Sequence, residues 1–343
     1  MCFRVDSSRT VGSGHLMRCL TLAGKLHKKK QADILFLSRD LPGNLTKLVR
    51  EQGYQLALMP RVEADESLTG YASWLTVTQD EDAKDCIKVL SEEVPIDIMV
   101  VDSYAIDETW EKQIRPFARK IMVIDDLANR KHDCDILLDQ NFYQNKDTRY
   151  QGLVPESCQL RLGPQHALLR EEFYEVRKYQ RKRDGRIRNI LVFYGGIDLT
   201  NETMKALQAI VMLDGCNQFT VNVIVGASNP YQDEIEAFCQ QYGFIHYYCQ
   251  VDNIAEFMSE ADLSLGAGGT TIWERCFLGL PTIVTAIAQN QEQGCIDCAK
   301  LNFIEYIGCA DNVTRGNVMD AIKRMTVDKM IEYQKHGESL MKI

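Results

Sequence analysis

Ile96-Asp97-Ile98-Met99-Val100-Val101-Asp102 is apolar at four consecutive positions, 98–101, and ends on a carboxylate. A strand with one wet face alternates apolar and polar residues. An unbroken apolar run is how a strand buried on both faces reads, as in a parallel sheet covered by helices. Similar runs stand at residues 2–6, 33–38, 54–59, 120–125 and 136–139. Between them lie segments with apolar residues three and four apart. Leu16, Cys19, Leu20, Ala23 and Leu26 form one such stripe, and the Lys28-Lys29-Lys30 run after it suits a helix C-terminus. Right-handed βαβ crossovers follow from this order. The second half repeats the scheme at residues 189–194, 220–225, 245–248, 263–265 and 282–286.

The expected fold class is therefore α/β, with two Rossmann-like domains whose parallel sheets face each other across a cleft. Their expected extents are residues 1–175 and 189–343. Residues 176–188 between them carry Arg177, Lys178, Arg181, Lys182, Arg183, Arg186 and Arg188 and almost nothing apolar. The stretch reads as a solvated helix end and linker, with contact to an anionic surface as the other reading.

Composition bounds the classes of function. The chain has 343 residues, a net charge of −9 and 45% hydrophobic residues, which is enough apolar surface for packed cores. That length usually means two domains. No stretch approaches the roughly 18–20 uncharged apolar residues of a membrane span. The N-terminal Met1-Cys2-Phe3-Arg4-Val5-Asp6 has no signal-peptide core. Twelve cysteines without a secretion signal read as reduced thiols. An acidic total argues against a general nucleic-acid binder. A cytoplasmic protein without membrane insertion is expected; its oligomeric state is open, and a monomer fits.

In open parallel sheets, ligands sit beyond the carboxyl ends of the strands, so chemistry is sought there. After the first strand comes Gly12-Ser13-Gly14-His15-Leu16-Met17-Arg18. As a dinucleotide fingerprint it is poor, because the third glycine of G-x-G-x-x-G falls on Met17. His15 falls in the first helical turn, where the positive end of the helix favours a neutral ring able to accept a proton. It reads either as a base or as a structural histidine. In the second half, Gly266-Ala267-Gly268-Gly269-Thr270-Thr271 follows a strand and opens a helix expected at 272–278. Free backbone N–H groups there suit a diphosphate, and Glu274 can point a carboxylate at a ribose diol. Tyr194-Gly195-Gly196-Ile197-Asp198, with Asn201 just beyond, is a second strand–glycine–helix junction. Each glycine pair also has the plain reading of a tight turn. Asp102-Ser103-Tyr104 and Asp125-Asp126 end two strands of the first domain. Their carboxylates either bind sugar hydroxyls, orient His15, or cap the next helices.

Two clusters resemble metal sites. Cys295-Ile296-Asp297-Cys298 has no second cysteine pair, and consecutive residues of Lys131-His132-Asp133-Cys134-Asp135 point to opposite sides of an extended segment. Structural zinc needs four converging ligands, so no metal or other cofactor is expected.

The chain resembles the UDP-sugar hydrolases of pseudaminic acid biosynthesis, which act on UDP-2,4-diacetamido-2,4,6-trideoxy-β-L-altropyranose. The segments that carry the resemblance are Phe3-Arg4-Val5-Asp6-Ser7-Ser8 with residues 12–19, Asp125-Asp126, His132-Asp133-Cys134-Asp135, and Gly163-Pro164 with residues 167–173. Gly195-Gly196-Ile197-Asp198, Ser228-Asn229-Pro230, residues 266–274 and Asn290-Gln291 continue it. Such hydrolases are similar in fold to the inverting two-domain GT-B glycosyltransferases, notably the one that makes lipid II. The resemblance implies that His15 is the catalytic base and that the C-terminal domain holds UDP, with Glu274 at the ribose. It places Gly195, Gly196, Asp198, Asn201, Gly268, Gly269, Thr270, Thr271, Asn290 and Gln291 near the nucleotide. Asp6, Gly14, Asp102, Tyr104 and Asp126 are its candidates for contacting the sugar or orienting His15. It implies a last helix packed back on the first domain, a UDP-sugar substrate and a UDP product. Cys295 and Cys298 lie outside the pattern. A UDP-sugar glycosyltransferase, a hydrolysing 2-epimerase and a non-catalytic nucleotide-sugar binder are the alternatives.

Overall fold

The computed structural model describes residues 1–91 and 96–341, which form two compact units. The first comprises Met1–Asn141 and Asn145–Leu168; the second takes Phe142–Gln144 and the chain from Leu169 onward.

The first unit is built on β1 (Cys2–Val5), β2 (Leu35–Arg39), β3 (Gln55–Met59), β4 (Ile96–Asp102), β5 (Ala118–Ile124), β6 (Ile136–Asp139) and β7 (Gln159–Leu162). They are parallel throughout, in the order β3-β2-β1-β4-β5-β6-β7. The unbroken apolar runs feed two cores, one on each face. In β4, Met99 and Val101 enter one cluster and Val100 the other; in β5, Ile121 and Val123 part from Met122 and Ile124. Each fully buried side chain of this size contributes about 1.5–3 kcal/mol relative to exposure. Leu16, Cys19, Leu20 and Ala23 of the helix Gly14–Lys30 join the second of these clusters. β7 has no counterpart in the sequence reading. It is the sheet's edge strand, and its Gln-Leu-Arg-Leu run is largely exposed, so it lacks a buried-strand pattern.

The second unit carries β8 (Asn189–Phe193), β9 (Thr220–Val225), β10 (Ile245–Cys249), β11 (Leu263–Ala267), β12 (Thr282–Ala286) and β13 (Glu305–Cys309). The order is β10-β9-β8-β11-β12-β13, again all parallel. β13 also escaped the sequence reading. It is an edge strand with no fully buried residue, and its Glu305 pairs with Arg324 and Lys329. The helix Val327–Leu340 contributes Met330 and Tyr333 to this unit's core.

The division between units falls at Leu168/Leu169, so the arginine-rich stretch, though mostly exposed, lies within the second unit. Arg183 is buried and donates to the carbonyls of Met258, Ser259, Ala261, Leu278 and Gly279 at 2.7–3.3 Å. Burial pushes its guanidinium down to about 10. Arg181 pairs with Asp262 at 2.5 Å. These side chains fasten the segment to the second unit by capping carbonyls, a role that charge alone does not reveal.

In each unit the strand order turns about its first strand, so the loops after β1 and β4, and those after β8 and β11, lie side by side. Such switch points are where open α/β sheets bind ligands.

Candidate active site

At the switch point of the first unit, the loop after β1 is shaped by Ser8, whose Oγ accepts the N–H groups of Thr10 (3.1 Å) and Val11 (2.9 Å). Gly12 follows with φ +82°, a conformation that favours glycine. The helix then begins at Gly14 and places His15 in its first turn. Around Gly14, a β-carbon would meet nothing within 4 Å.

His15 Nδ1 lies 2.6 Å from Oδ1 of Asp102, the last residue of β4. A carboxylate oxygen and a ring nitrogen that close need a proton between them, so Nδ1–H donates to Asp102. The lone pair of the neutral ring is then on Nε2, which has no hydrogen bond among the described residues. Arg18, one turn along the same helix, donates Nε to Asp102 Oδ2 and Nη2 to Oδ1, both at 2.6 Å. Burial pushes the Asp102 carboxyl up, but Arg18 and His15 outweigh it and hold it well below the usual carboxylate range. Arg18 also reaches Asp126 Oδ2 at 3.5 Å, and Asp126 accepts from Tyr104 Oη (2.5 Å) and Asn141 Nδ2 (3.1 Å). The Tyr104 ring stands edge-on to His15 at 4.6 Å, and Trp74 and Tyr71 pack beside it. Asp102 therefore orients His15, one of the three readings its position left open. Asp126 holds Tyr104 in place.

Asp6 is differently employed. It pairs with Arg4 at 2.7 Å and accepts the Arg39 N–H at 2.7 Å, tying the ends of β1 and β2 together, with no bond to His15 among the described residues. Beneath it, buried Asp82 takes Arg4 at 2.7 Å, Arg39 at 2.9 Å and Trp110 Nε1 at 3.0 Å.

In the second unit, β11 leads into Gly268-Gly269-Thr270 and the helix Thr271–Phe277. The Gly268 N–H is taken by Thr285 O at 3.1 Å, while those of Gly269, Thr270 and Thr271 have no partner among the described residues. A β-carbon on Gly268 would collide with Cys295 Sγ, and one on Gly269 would lie 3.6 Å from Gln291 Nε2. Asn290 and Gln291 open the helix Gln289–Lys300, and Gln291 Oε1 accepts the Ile287 N–H at 3.0 Å. Arg275 is buried beneath the turn and donates to Ala267 O at 2.6 Å; burial pushes it down to about 10. Glu274 Oε1 accepts Nε and Nη2 of Arg170, both at 3.2 Å, leaving Oε2 for another donor. Burial raises the Glu274 carboxyl, with Arg170 opposing.

At the β8 junction, Gly195 has φ +94°, and a β-carbon on Gly226 would lie 2.6 Å from Gly196 Cα. Asp198 accepts the N–H groups of Glu202 (3.0 Å) and Thr203 (2.9 Å) and the Thr203 hydroxyl (2.7 Å). Asn201 is the N-cap of the same helix, Glu202–Val211. The carboxylate of Asp198 and the amide oxygen of Asn201 thus cap this helix.

Sequence reasoning missed Arg18, Asn141, Arg170 and the Tyr71–Trp74 pair. Arg18 had a signal, since it lies three residues after His15 on one helix face. The aromatic pair had none, because only tertiary packing brings residues 70–75 to the imidazole. Among the described residues, no group of three or more His, Cys, Asp or Glu side chains could hold a metal ion. Among the described residues, no helix is long and apolar enough to cross a membrane.

Comparison with known proteins extends these observations. MurG of Acinetobacter baumannii superposes with a TM-score of 0.61 at 12% identity, covering 100% of this chain and 99% of that one. UGT89C1 of Arabidopsis thaliana complexed with UDP-L-rhamnose gives 0.68 at 12% identity, over 99% and 94%. The fold is GT-B. Residues 189–295 of this GT-B chain match the glycosyltransferase family 28 C-terminal domain. By sequence the chain resembles the UDP-2,4-diacetamido-2,4,6-trideoxy-β-L-altropyranose hydrolase of Campylobacter jejuni, at 27% identity over 89% of this chain and 98% of that protein. An uncharacterized protein of Methanocaldococcus jannaschii is 28% identical over 84% of the chain, which spans 55% of its length.

Proposed function

We propose that the chain hydrolyses a UDP-linked 2,4-diacetamido-2,4,6-trideoxy sugar at its anomeric carbon, releasing UDP with inversion. The observation that carries this reading is the His15–Asp102 pair, which leaves an acceptor nitrogen beside an aromatic wall. Similarity to the Campylobacter hydrolase supports the substrate class, and the fold shared with a UDP-sugar complex supports the nucleotide.

In this reading His15 acts at the sugar end and the second unit holds the nucleotide end. Water gives a proton to His15 Nε2 as its oxygen bonds to the anomeric carbon. The bond from that carbon to the β-phosphate oxygen breaks, and its electron pair leaves on UDP. N–H groups of Gly269, Thr270 and Thr271 stabilise the charge gathering on the diphosphate, and Glu274 Oε2 accepts from a ribose hydroxyl. A positioned general base contributes about 10²–10⁴ in rate.

The fold likeness to glycosyltransferases favours one second reading, in which His15 activates an acceptor hydroxyl. Incubation with the UDP-sugar alone separates the two: hydrolysis gives stoichiometric UDP and free 2,4-diacetamido sugar by NMR. No UDP release without an added acceptor would contradict the hydrolase.

A further inference from the structure

We propose that Arg18 is the positioning residue that holds His15 in its proton-accepting form; the catalytic part of this role rests on the reading above, but the tautomer it fixes is a property of the free protein. Arg18 is buried like His15, and its Nε, Nη1 and Nη2 are turned to Asp102 and Asp126. Its planar fork grips Asp102 with two parallel bonds of 2.6 Å, to Oδ2 through Nε and to Oδ1 through Nη2. Such a fork forces the carboxylate and guanidinium toward one plane. That plane decides where the remaining lone pair of Oδ1 points, and it points at His15 Nδ1, 2.6 Å away.

The other arm of Arg18 matters as well. At 3.5 Å from Asp126, it places one cation between two buried carboxylates that would otherwise repel. Asp126 holds Tyr104, and Tyr104 packs against the imidazole. The groups close a circuit from His15 through Asp102, Arg18, Asp126 and Tyr104 back to His15, so the ring is fixed by a hydrogen bond and by an aromatic edge.

Arg18 Nη2 also lies 3.2 Å from His15 Nδ1. In the other tautomer, Nδ1 would present a lone pair to Asp102 Oδ1 at 2.6 Å, which is repulsive, and could accept only from Arg18. While the fork stays on Asp102, the Nδ1–H form is the one that satisfies every group. Without the fork, Asp102 is free to turn and the two tautomers approach each other in energy.

The test uses the full chain labelled with ¹⁵N-histidine, with the His15 signals assigned by their loss in His15→Gln. Wild type should show a protonated Nδ1 and a bare Nε2 in the neutral ring. Arg18→Met should show mixed tautomers, with kcat lowered at least about tenfold and UDP affinity unchanged. Arg18→Lys keeps the charge without the fork and should lie between the two; it carries the test if the methionine variant does not fold. A wild-type tautomer pattern in the folded variants would overturn the proposal, as would a loss of UDP affinity matching the loss of kcat. If the chain releases no UDP from the sugar nucleotide, the hydrolase reading fails, yet the tautomer comparison still judges Arg18.

Discussion

Replacing Asp102 by asparagine probes the centre of the site with the loss of one charge and almost no change in shape. Asp102 is 1% exposed and accepts from His15 Nδ1 and two nitrogens of Arg18, all at 2.6 Å, and from Cys19 Sγ at 3.5 Å. An amide has one acceptor end. If its oxygen stays toward His15, its NH₂ meets Arg18 Nε–H donor to donor. If it flips, the NH₂ donates to His15 Nδ1 and moves the ring proton to Nε2, where it blocks water activation. Each orientation sets the NH₂ against one nitrogen of the Arg18 fork, Nε in the first and Nη2 in the second, and in both the carboxylate that stabilises a protonated His15 is gone. The rate should then fall by about 10²–10⁴, the contribution of a general base. Stability should fall too, because among the described residues Arg18 keeps only Asp126, at 3.5 Å, as a charge partner. Removing one partner of a buried pair costs roughly 3–5 kcal/mol. For a unit of this size that lowers Tm by on the order of 10 °C. Initial rates of UDP release, measured well below the melting transition, give kcat, and calorimetric titration with UDP gives affinity. A variant with wild-type kcat would refute the orientation argument, and one that lost UDP binding would show that Asp102 contacts the nucleotide.

Other expectations follow from individual contacts. Glu274→Ala should weaken UDP by about 1.5–3 kcal/mol, the worth of a hydrogen bond to a charged group, while leaving phosphate affinity alone; calorimetry with both ligands checks this. Gly268→Ala drives a methyl into Cys295 Sγ, so it should lower both Tm and UDP affinity, and Cys295→Ala in the same chain should restore part of each. Asp82→Ala leaves Arg4 and Arg39 without their shared carboxylate and should cost roughly 3–5 kcal/mol in urea unfolding. Asp139 is pushed up to about 7, first by burial and then by Asp126. Its folded form thus holds a proton that the unfolded chain releases near pH 4, so it lowers stability as pH rises from about 4 to 7. Asp139→Asn removes that slope, and melts at pH 5 and 8 should show the variant gaining on wild type at the higher pH.

The central strands were legible because burial on both faces leaves a strong mark, as at Met99-Val100-Val101. β7 and β13 were not, since edge strands carry exposed and charged residues and are held by their neighbours' backbones. The placement of His15 at a helix start and of the glycine turn at 266–271 could be read from local pattern. The His15–Asp102 contact spans 87 positions and depends on the pairing of β1 with β4, which no local spacing reports. Asp6, Asp102 and Asp126 all stand at or just beyond strand ends, yet one ties strand ends, one bonds the histidine and one holds a tyrosine. Arg4, Arg39, Arg18 and Asn141 decide among those fates, and they lie far apart in the chain. Arg183 shows the converse: a basic run that looked solvated contains a buried clasp.

The most direct measurement is hydrolysis of the UDP-sugar in ¹⁸O-water, with mass analysis of both products and NMR of the first anomer formed. Attack at the anomeric carbon puts the label on carbon one of the sugar, leaves UDP unlabelled and inverts the configuration. Label in the β-phosphate of UDP would mean attack at phosphorus, and retention would mean a covalent or double-displacement route. Either result would contradict a water activated by His15 at the anomeric carbon.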